Sequence, residues 1–305
     1  MKTCLVTGGA GFIGSHIADS LIQHGYRVCV VDNLSTGKKE NLNPKARFYK
    51  ADVQSPVVSK IFKKEKPCAV FHFAAHIEAR QSVYDPVGDA KENILGTVSI
   101  LEQCRKNNIQ KIVFASSGGE VYGNATKIPT PETHGPNPIS PYGVAKLAAE
   151  GYIKAYEKLY VISPLILRLA NVYGPRQNPN GEAGVVAIFT NAMLQKTGFF
   201  IHGSGKQTKD YIFIDDAIGA IMKAFRENRS GVFNIGTGKE TSVNEIFLQL
   251  RELTHWEGTV KHVSPSSILF PRGALSITKA KRQLRWKPKT TLKEGLHKTV
   301  AWFKK

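Results

Sequence analysis

Residues 7–14 read Thr7-Gly8-Gly9-Ala10-Gly11-Phe12-Ile13-Gly14. An apolar run that predicts a strand precedes them, and a segment with helical apolar spacing follows. The glycines have the G-x-x-G-x-x-G spacing, at Gly8, Gly11 and Gly14. This spacing gives a tight turn, lets the backbone approach a pyrophosphate and brings the helix close to the strand, while free N–H groups at the helix N-terminus face the phosphates. The stretch therefore predicts a dinucleotide-binding unit.

Outward from this unit, short β-branched runs alternate with helical patterns through the first third of the chain. The predicted strands are Cys4–Thr7, Arg27–Val31, Arg47–Lys50, Ala69–Phe73 and Ile112–Ala115. The predicted helices are Gly14–His24, Val57–Lys64 and Asp89–Lys106. Such alternation predicts an α/β fold, a Rossmann doubly wound parallel sheet with helices on both faces.

Asp32, near the end of the second predicted strand, indicates which dinucleotide binds. A carboxylate there accepts hydrogen bonds from an adenosine ribose and repels a 2′-phosphate, which favours NAD over NADP. Lys38 and Lys39 stand close in sequence and leave NADP open. Asp52, after the third strand, is placed either to contact the adenine or to cap a helix.

The later part of the chain is predicted to add a smaller C-terminal substrate-binding cap. Further strands are predicted over Leu165–Arg168, Tyr211–Phe213 and Gly231–Asn234, and the cap is predicted to contain the helices Val243–Leu253, Thr278–Leu284 and Leu292–Phe303. No linker divides the chain, so we expect an NAD-binding Rossmann domain over residues 1–170, with a later strand contribution near 210–236, and mainly a cap over 171–305. The polar stretch Gly174–Gly184 is long for a connection and predicts a functional loop.

Composition narrows the class of protein. Apolar residues make up 42% of the chain, enough for a sizeable core. No apolar run is long enough for a membrane span, and glycines interrupt the N-terminal apolar run, so we expect no signal peptide and a cytoplasmic location. The cysteines are far apart, without the spacing of metal ligands, and are expected to be buried reduced thiols: Cys4, Cys29, Cys68 and Cys104. We therefore expect no metal.

The formal net charge of +18 suits anionic ligands, among them dinucleotides and nucleotide sugars. Basic residues spread along the chain, and no nucleic-acid-binding motif accompanies them. We expect no specific nucleic-acid partner.

A second motif carries acid–base chemistry. Tyr142 and Lys146 are four residues apart, so on a helix they lie on one face. An ammonium near a phenol favours the phenolate, and a tyrosine with a lowered pKa can take a proton from a sugar hydroxyl. Ser116 and Ser117 end the fifth predicted strand at its carboxyl edge, where ligands bind in open α/β sheets. Ser117 is placed to hold the reacting oxygen.

Taken together, these segments resemble the extended short-chain dehydrogenase/reductase family, in particular its NAD-dependent epimerase/dehydratase branch and the UDP-glucose 4-epimerase group. The segments that carry the resemblance are Val6–Gly14, Val31–Asn33, Phe71–Ala75, Ser116–Gly123, Ser140–Tyr142, Arg168–Arg176, Asp210–Tyr211 and Phe233–Gly238. They extend through most of the chain and are more specific for the family than for the substrate.

The resemblance implies 4-epimerisation of a UDP-hexose, UDP-glucose or UDP-galactose with or without an N-acetyl group, through a 4-keto intermediate. The implied catalytic residues are Ser117, Tyr142 and Lys146. The implied NAD contacts are Gly8, Gly11, Phe12, Ile13, Gly14, Asp32, Asn33, Asp52, Val53, Phe73, Ala74, Ala75, Tyr142 and Lys146. Substrate contacts are implied for Ser117, Tyr142, Asn171, Val186, Lys209, Arg272 and Ala274. A homodimer through Asp89–Arg105 and Tyr142–Leu159 is also implied.

The substrate-binding part departs from the family pattern. Lys209 stands where an arginine usually binds the diphosphate, and it keeps the charge but loses the bidentate fork. Counting back from Trp286, Ser266–Leu269 replaces an Arg-x-Gly-Asp segment, and Arg272 is the nearby candidate to substitute. The same count puts Ala274 at a pocket position where a small residue admits N-acetylated sugars.

Three other functions stay open. A nucleotide-sugar dehydratase is disfavoured, because the resemblance asks for an adjacent Asp-Glu pair and this chain has Gly119-Glu120. A UDP-glucuronate epimerase or decarboxylase fits the basic charge. A non-catalytic NAD-sensing module of the same fold usually loses the tyrosine or the lysine, and both are present.

Overall fold

The computed structural model describes residues 1–180, 184–264 and 272–305. Its strands are β1 (Thr3–Thr7), β2 (Arg27–Asp32), β3 (Arg47–Lys50), β4 (Ala69–His72), β5 (Lys111–Ser117), β6 (Ser163–Leu169), β7 (Asn171–Tyr173), β8 (Phe200–His202), β9 (Thr208–Lys209), β10 (Tyr211–Phe213), β11 (Gly231–Ile235), β12 (Thr241–Ser242) and β13 (Lys261–Val263). Its α-helices are α1 (Phe12–Gln23), α2 (Val57–Glu65), α3 (Ala79–Tyr84), α4 (Pro86–Ala90), α5 (Gly96–Lys106), α6 (Gly118–Tyr122), α7 (Pro141–Leu159), α8 (Val185–Leu194), α9 (Ile214–Arg226), α10 (Val243–Thr254), α11 (Thr278–Leu284) and α12 (Leu292–Phe303). A 3₁₀ turn spans Lys39–Asn41, and a π-helical turn spans Lys91–Leu95.

Within the described residues, seven strands form one sheet in the order β11-β6-β5-β4-β1-β2-β3. Every neighbouring pair in it is parallel. From β1 the chain adds β2 and β3 on one side, and it then crosses to β4 on the other. Ligands of open α/β sheets bind at the carboxyl ends of the strands beside such a reversal. The doubly wound α/β prediction is confirmed.

Residues of one strand alternate between two hydrophobic clusters because successive side chains point to opposite faces. Cys4 and Val6 belong to the cluster that contains α1 and α9 residues, whereas Leu5 belongs to the cluster that contains α2 and α5 residues. All of β1 is buried, as expected for a strand covered by helices on both faces. The first cluster continues into α8, α10 and α12 without a break.

Most predicted elements are present with ends shifted by a few residues, and three expectations need correction. The helix predicted over Asp89–Lys106 is divided into α4, the π turn and α5; it starts early because Pro86 and the capping side chain of Asp85 begin a helix there. The strand Tyr211–Phe213 pairs with β7 and not with the main sheet. Cys68 is exposed, since it lies in the turn before β4, whereas the other three thiols are buried.

No helix in the described ranges is long and apolar enough to cross a membrane.

Candidate active site

The glycine turn is built by close approach of backbone segments. Gly8 has φ +69°, and a Cβ on it would lie 2.6 Å from the backbone nitrogen of Ala74. A Cβ on Gly14 would lie 2.1 Å from the carbonyl oxygen of Gly8. Gly11 precedes α1, and that helix has neither a capping side chain nor an acidic residue in its first turn. The first N–H groups of α1 are therefore left for an anion.

Asp32 is tied to the same turn. Its Oδ2 accepts a hydrogen bond from the backbone N–H of Ala10 at 3.0 Å, and its Oδ1 accepts one from Leu34 at 2.8 Å. The carboxylate is nearly buried, and each oxygen keeps acceptor capacity. The acid and the phosphate-binding turn thus form one unit, as a ribose contact requires.

Asn33 and Asp52 meet beyond the ends of β2 and β3. The Asn33 amide donates to Asp52 Oδ2 at 3.2 Å, while Asp52 Oδ1 accepts from the Gln54 N–H at 2.8 Å. Asp52 therefore makes a local turn and does not cap α2, whose N-cap is Pro56. Val53 has its side chain in the hydrophobic cluster, so an adenine contact there would have to come from its backbone.

Phe73, Ala74 and Ala75 follow β4 at the edge of the glycine turn. The backbone N–H groups of Phe73 and Ala74 both lie 3.2 Å from Thr7 Oγ1, which accepts their hydrogen bonds. These contacts join the ends of β1 and β4 and fix the floor on which the dinucleotide would lie.

His72 completes this floor as a neutral ring. The Thr97 hydroxyl donates its hydrogen bond to the Asn93 carbonyl at 2.7 Å. It can therefore only accept from His72, so His72 Nε2 is the donor in their contact at 3.2 Å. His72 Nδ1 then accepts from the Thr7 hydroxyl at 2.7 Å. Burial, helped by the nearby Lys146 charge, lowers the pKa of His72 to about 3. It is a structural residue.

Ser117, Tyr142 and Lys146 come together at the carboxyl end of β5. Ser117 ends β5, whereas Tyr142 and Lys146 lie on α7, which the capping side chain of Ser140 and the following Pro141 begin. The Ser117 hydroxyl lies close enough to the Tyr142 phenol to oppose a rise in the pKa of Tyr142. The Lys146 ammonium donates to the Ala115 carbonyl at 3.1 Å, and its Nζ lies 5.8 Å from the centroid of the Tyr142 ring.

The pKa of Tyr142 corrects one expectation. Burial, with the charges of Glu120 and Asp89, raises the pKa of Tyr142 above its ordinary value, although the Ser117 hydrogen bond opposes this. The expected lowering is absent because, in the protein alone, desolvation and the two carboxylates outweigh the effect of the Ser117 hydroxyl. Burial also lowers the pKa of Lys146 to about 8, against the charges of Asp89 and Glu150.

A pocket that is partly open to solvent begins at Gly118, the residue after Ser117, and follows α6. Its lining residues are Gly118, Gly119, Tyr122, Gly123, Ala125, Thr130, Ala170, Asn171, Lys209, Asp210, Gly273, Ala274 and Leu275. Glycine and alanine dominate the described part of the wall, so few side chains project into the pocket.

The predicted substrate residues divide into those in this pocket and those outside it. Asn171, Lys209 and Ala274 line it. Arg272 does not: its guanidinium is held by Glu240 in a bidentate pair at 3.0 and 2.5 Å. Val186 is buried in the core, so a nucleotide contact there would have to come from backbone at the start of α8. Residues 266–269, where the family's Arg-x-Gly-Asp segment is expected, lie outside the described residues.

Lys209 is the cation of the pocket. Burial lowers its pKa to about 7, although the Glu120 carboxylate opposes the shift. An anion beside Lys209 would restore its charge, which suits a diphosphate ligand.

Asp210, next in the chain, shows how the pocket wall is held. Its buried carboxylate accepts hydrogen bonds from the N–H groups of Thr237, Gly238 and Leu275 and from the Thr237 hydroxyl. It ties the wall segment at Ala274 to the end of β11. Sequence analysis named Asp210 only within a segment that carries the resemblance and gave it no role, because nothing in the sequence marks backbone donors from such distant segments.

The loop predicted from Gly174 folds over α1. His16 Nε2 hydrogen-bonds the Pro175 carbonyl at 3.0 Å, and Arg176 pairs with Asp19 at 2.7 Å. The described part of this loop therefore reaches the phosphate-binding helix from the cap side.

A dinucleotide fits these residues on structural grounds: an uncapped helix start, a glycine turn that excludes any Cβ, and a fixed carboxylate beyond it. NAD would be held by the turn from Gly8 to Gly14, by Asp32 and by the backbone after β4. No group of three or more His, Cys, Asp or Glu residues in the described part of the chain could hold a metal ion.

Comparisons with known proteins agree with this geometry. Residues 4–236 match the NAD dependent epimerase/dehydratase family. The chain is 47% identical over 300 residues, 98% of each chain, to a putative UDP-glucose 4-epimerase of Methanocaldococcus jannaschii. It is similar to the structure of UDP-glucose 4-epimerase with UDP-glucose from Thermotoga maritima, with TM-score 0.96, 46% identity and coverage of 99% and 98%. The Thermus thermophilus UDP-glucose 4-epimerase in complex with NAD gives TM-score 0.93, 37% identity and 99% coverage of both.

Proposed function

This chain belongs to the NAD dependent epimerase/dehydratase family, and from that premise we propose that it interconverts UDP-hexoses that differ at C4, UDP-glucose and UDP-galactose in the first instance. The observation that carries the proposal is one juxtaposition. Ser117 and Tyr142 lie close together at the carboxyl end of β5, Lys146 Nζ lies 5.8 Å from the centroid of the Tyr142 ring, and a pocket begins at Gly118, the residue after Ser117.

The side chains divide the chemistry among them. NAD, which the turn from Gly8 to Gly14 and Asp32 would hold, would supply a reversible hydride acceptor for C4 of the sugar. Tyr142 accepts the proton of the 4-hydroxyl and gives it back, which is why its phenol must be within reach of that oxygen. Ser117 donates a hydrogen bond that orients the same oxygen. Lys146 supplies the positive charge that favours the phenolate.

The pocket holds the rest of the substrate. Lys209 meets the diphosphate with its charge, and Asn171 offers an amide beside it. Between the two half-reactions the 4-keto sugar must rotate, so that its opposite face meets the nicotinamide, while its nucleotide stays bound. The glycine and alanine residues of the pocket wall support this proposal, because few side chains would obstruct that rotation.

The test is incubation of the purified protein with UDP-glucose, UDP-galactose, UDP-N-acetylglucosamine and UDP-glucuronate, with products identified by NMR. We expect C4 epimers of the neutral sugars. Tyr142→Phe is the matched control: it should keep bound NAD and lose activity by about 10²-fold or more, since it removes only the acid–base group. Release of a pentose product from UDP-glucuronate, with no epimer of any hexose, would replace the proposal with a decarboxylase. Turnover by Tyr142→Phe within about tenfold of wild type would remove the tyrosine from the mechanism.

Two further features belong to the proposal. The protein works in the cytoplasm, which the free thiols of all four cysteines support.

It acts as a homodimer, which is supported by apolar side chains exposed on and beside the two helical segments expected to pair, among them Leu95, Tyr152 and Leu159.

A further inference from the structure

Asp89 is a buried carboxylate that the proposed reaction does not use. Its side chain is 1% exposed. Oδ1 accepts hydrogen bonds from His76 Nδ1 at 3.0 Å and from the Asn93 amide at 2.9 Å. Oδ2 is equally buried and has no hydrogen-bond partner in the described part of the chain. A buried carboxylate oxygen without a partner is costly, so a compensating charge nearby is expected.

The place of Asp89 in the fold points to that charge. Asp89 lies on α4, and α4 and the following π turn both pack against α7. Asp89 lines a groove together with the first turns of α7, including Val144 and Ala145. Ala145 immediately precedes Lys146. The carboxylate therefore faces the part of α7 that carries Tyr142 and Lys146, and its charge acts on both.

The other titratable groups near Lys146 are either paired with another charge or neutral. Glu150, one turn further along α7, is held by both nitrogens of Arg168 at 2.9 and 2.7 Å and by the Ser116 hydroxyl at 2.6 Å. His72, which faces Lys146 from the end of β4, is neutral. Asp89 is thus the carboxylate near Lys146 that no arginine neutralises among the described residues.

We propose that Asp89 is a positioning residue that keeps Lys146 in its ammonium form while the enzyme works. The proposal rests on the proposed function, because the reaction needs that ammonium. Burial alone lowers the pKa of Lys146, and the Asp89 charge opposes the lowering. Without Asp89, Lys146 loses its proton at a lower pH. The same charge raises the pKa of Tyr142, so without Asp89 the phenol also loses its proton at a lower pH.

The direct test follows Lys146 itself and does not depend on activity. In protein labelled with ¹³Cε-lysine, the Lys146 resonance is assigned by its loss in Lys146→Met and titrated from pH 6 to 11. We expect a midpoint near pH 8 in the wild type. In Asp89→Asn the midpoint should fall by about 0.5 to 1 pH unit. Asp89→Leu should give the same shift, and it avoids placing an unpaired amide in the groove.

Asp85→Asn is the matched control. It makes the same change at the exposed start of α4, and asparagine still caps the helix there. Its Lys146 midpoint should equal that of the wild type. The holoenzyme should then show the alkaline limb of its kcat–pH profile moved down by the same amount in both Asp89 variants, and unmoved in Asp85→Asn.

The outcomes separate this inference from the proposed function. An Asp89 variant that loses activity equally at every pH, with an unchanged Lys146 midpoint, would make Asp89 merely structural and overturn the inference. Failure of both neutral variants to fold would do the same. A shifted midpoint in a protein that epimerises no sugar would sustain the electrostatic role of Asp89 and refute the epimerase.

Discussion

We propose that Ala274 sets the space available beside the sugar. Its side chain is 3% exposed and forms part of the pocket wall with Gly273 and Leu275. We expect Ala274→Tyr to lower kcat/KM on UDP-N-acetylglucosamine at least about tenfold more than on UDP-glucose, because a phenol would fill the volume that the acetamido group needs; tenfold corresponds to ~1.4 kcal/mol. Ala274→Ser, which adds one oxygen, is the control and should change the two substrates alike. Equal loss on both substrates in Ala274→Tyr would show that residue 274 does not face the acetamido group.

For individual residues, the sequence predicted which side chains lie close together better than it predicted their pKa values. The juxtaposition of Tyr142, Lys146 and Ser117 followed from helix spacing and from the end of a strand, both of which are local patterns. The pKa of Tyr142 did not, because its burial depends on segments distant in sequence. The Arg272–Glu240 pair is another such case, since the two residues are far apart in the chain.

Among the elements, the turn between β1 and α1 requires glycine at Gly8 and Gly14, because a Cβ at either position would overlap backbone atoms. Gly14→Ala should destabilise the protein by about 1 to 3 kcal/mol and reduce NAD retention, because its Cβ would overlap the Gly8 carbonyl at 2.1 Å. Gly151→Ala is the control: it is also in a helix, with nothing within 4 Å of the added Cβ, and should stabilise by about 0.5 to 1 kcal/mol. Urea unfolding and the absorbance of bound NAD measure the two effects. A Gly14→Ala protein as stable as the wild type would show that the turn can relax.

Element ends were predictable where a capping or turn residue marks them. The main strands appeared close to their predicted limits because buried β-branched runs end at glycine or polar residues. The π turn at Lys91–Leu95 was not predictable, since a continuous apolar pattern over Asp89–Lys106 fits one regular helix equally well. Asn93 in this π turn donates a hydrogen bond to the Asp89 carboxylate in α4. The irregular turn therefore coincides with the buried polar pair that lies beside α7.

Across the molecule, one buried chain of contacts joins the catalytic helix to the pocket wall. Arg168 pairs with Glu150 on α7 and lies 4.8 Å from the centroid of the Tyr122 ring. The Tyr122 hydroxyl donates to Asn234 at 3.0 Å, and the Asn234 amide donates to the Thr130 carbonyl at 2.9 Å. Thr130 in turn binds the Ala274 carbonyl through its N–H at 2.8 Å. The sheet and the wall that faces the sugar are thus held in one register by polar contacts as well as by the shared core.

The last prediction is that the protein forms a homodimer through exposed apolar residues on α7 and the π turn. Tyr152 and Leu159 on α7 are 45% and 70% exposed, and Leu95 on the π turn, which packs against α7, is 55% exposed. With a chain mass of 33.6 kDa, light scattering after size exclusion should give about 67 kDa for the wild type. The double variant Tyr152→Glu, Leu159→Glu should run as a monomer, because like charges would meet across a two-fold interface.

Leu248→Glu is the matched control for this change. Leu248 is 58% exposed on α10, away from the paired helices, so its replacement should leave the dimer intact. A wild-type protein of single-chain mass, or a double variant that still dimerises, would exclude this face as the interface. Because α7 carries Tyr142 and Lys146 on its inner side and these apolar residues on its outer side, dimerisation would also hold the catalytic helix in place. The monomeric double variant should therefore lose part of its thermal stability and part of its kcat together, whereas Leu248→Glu should retain both.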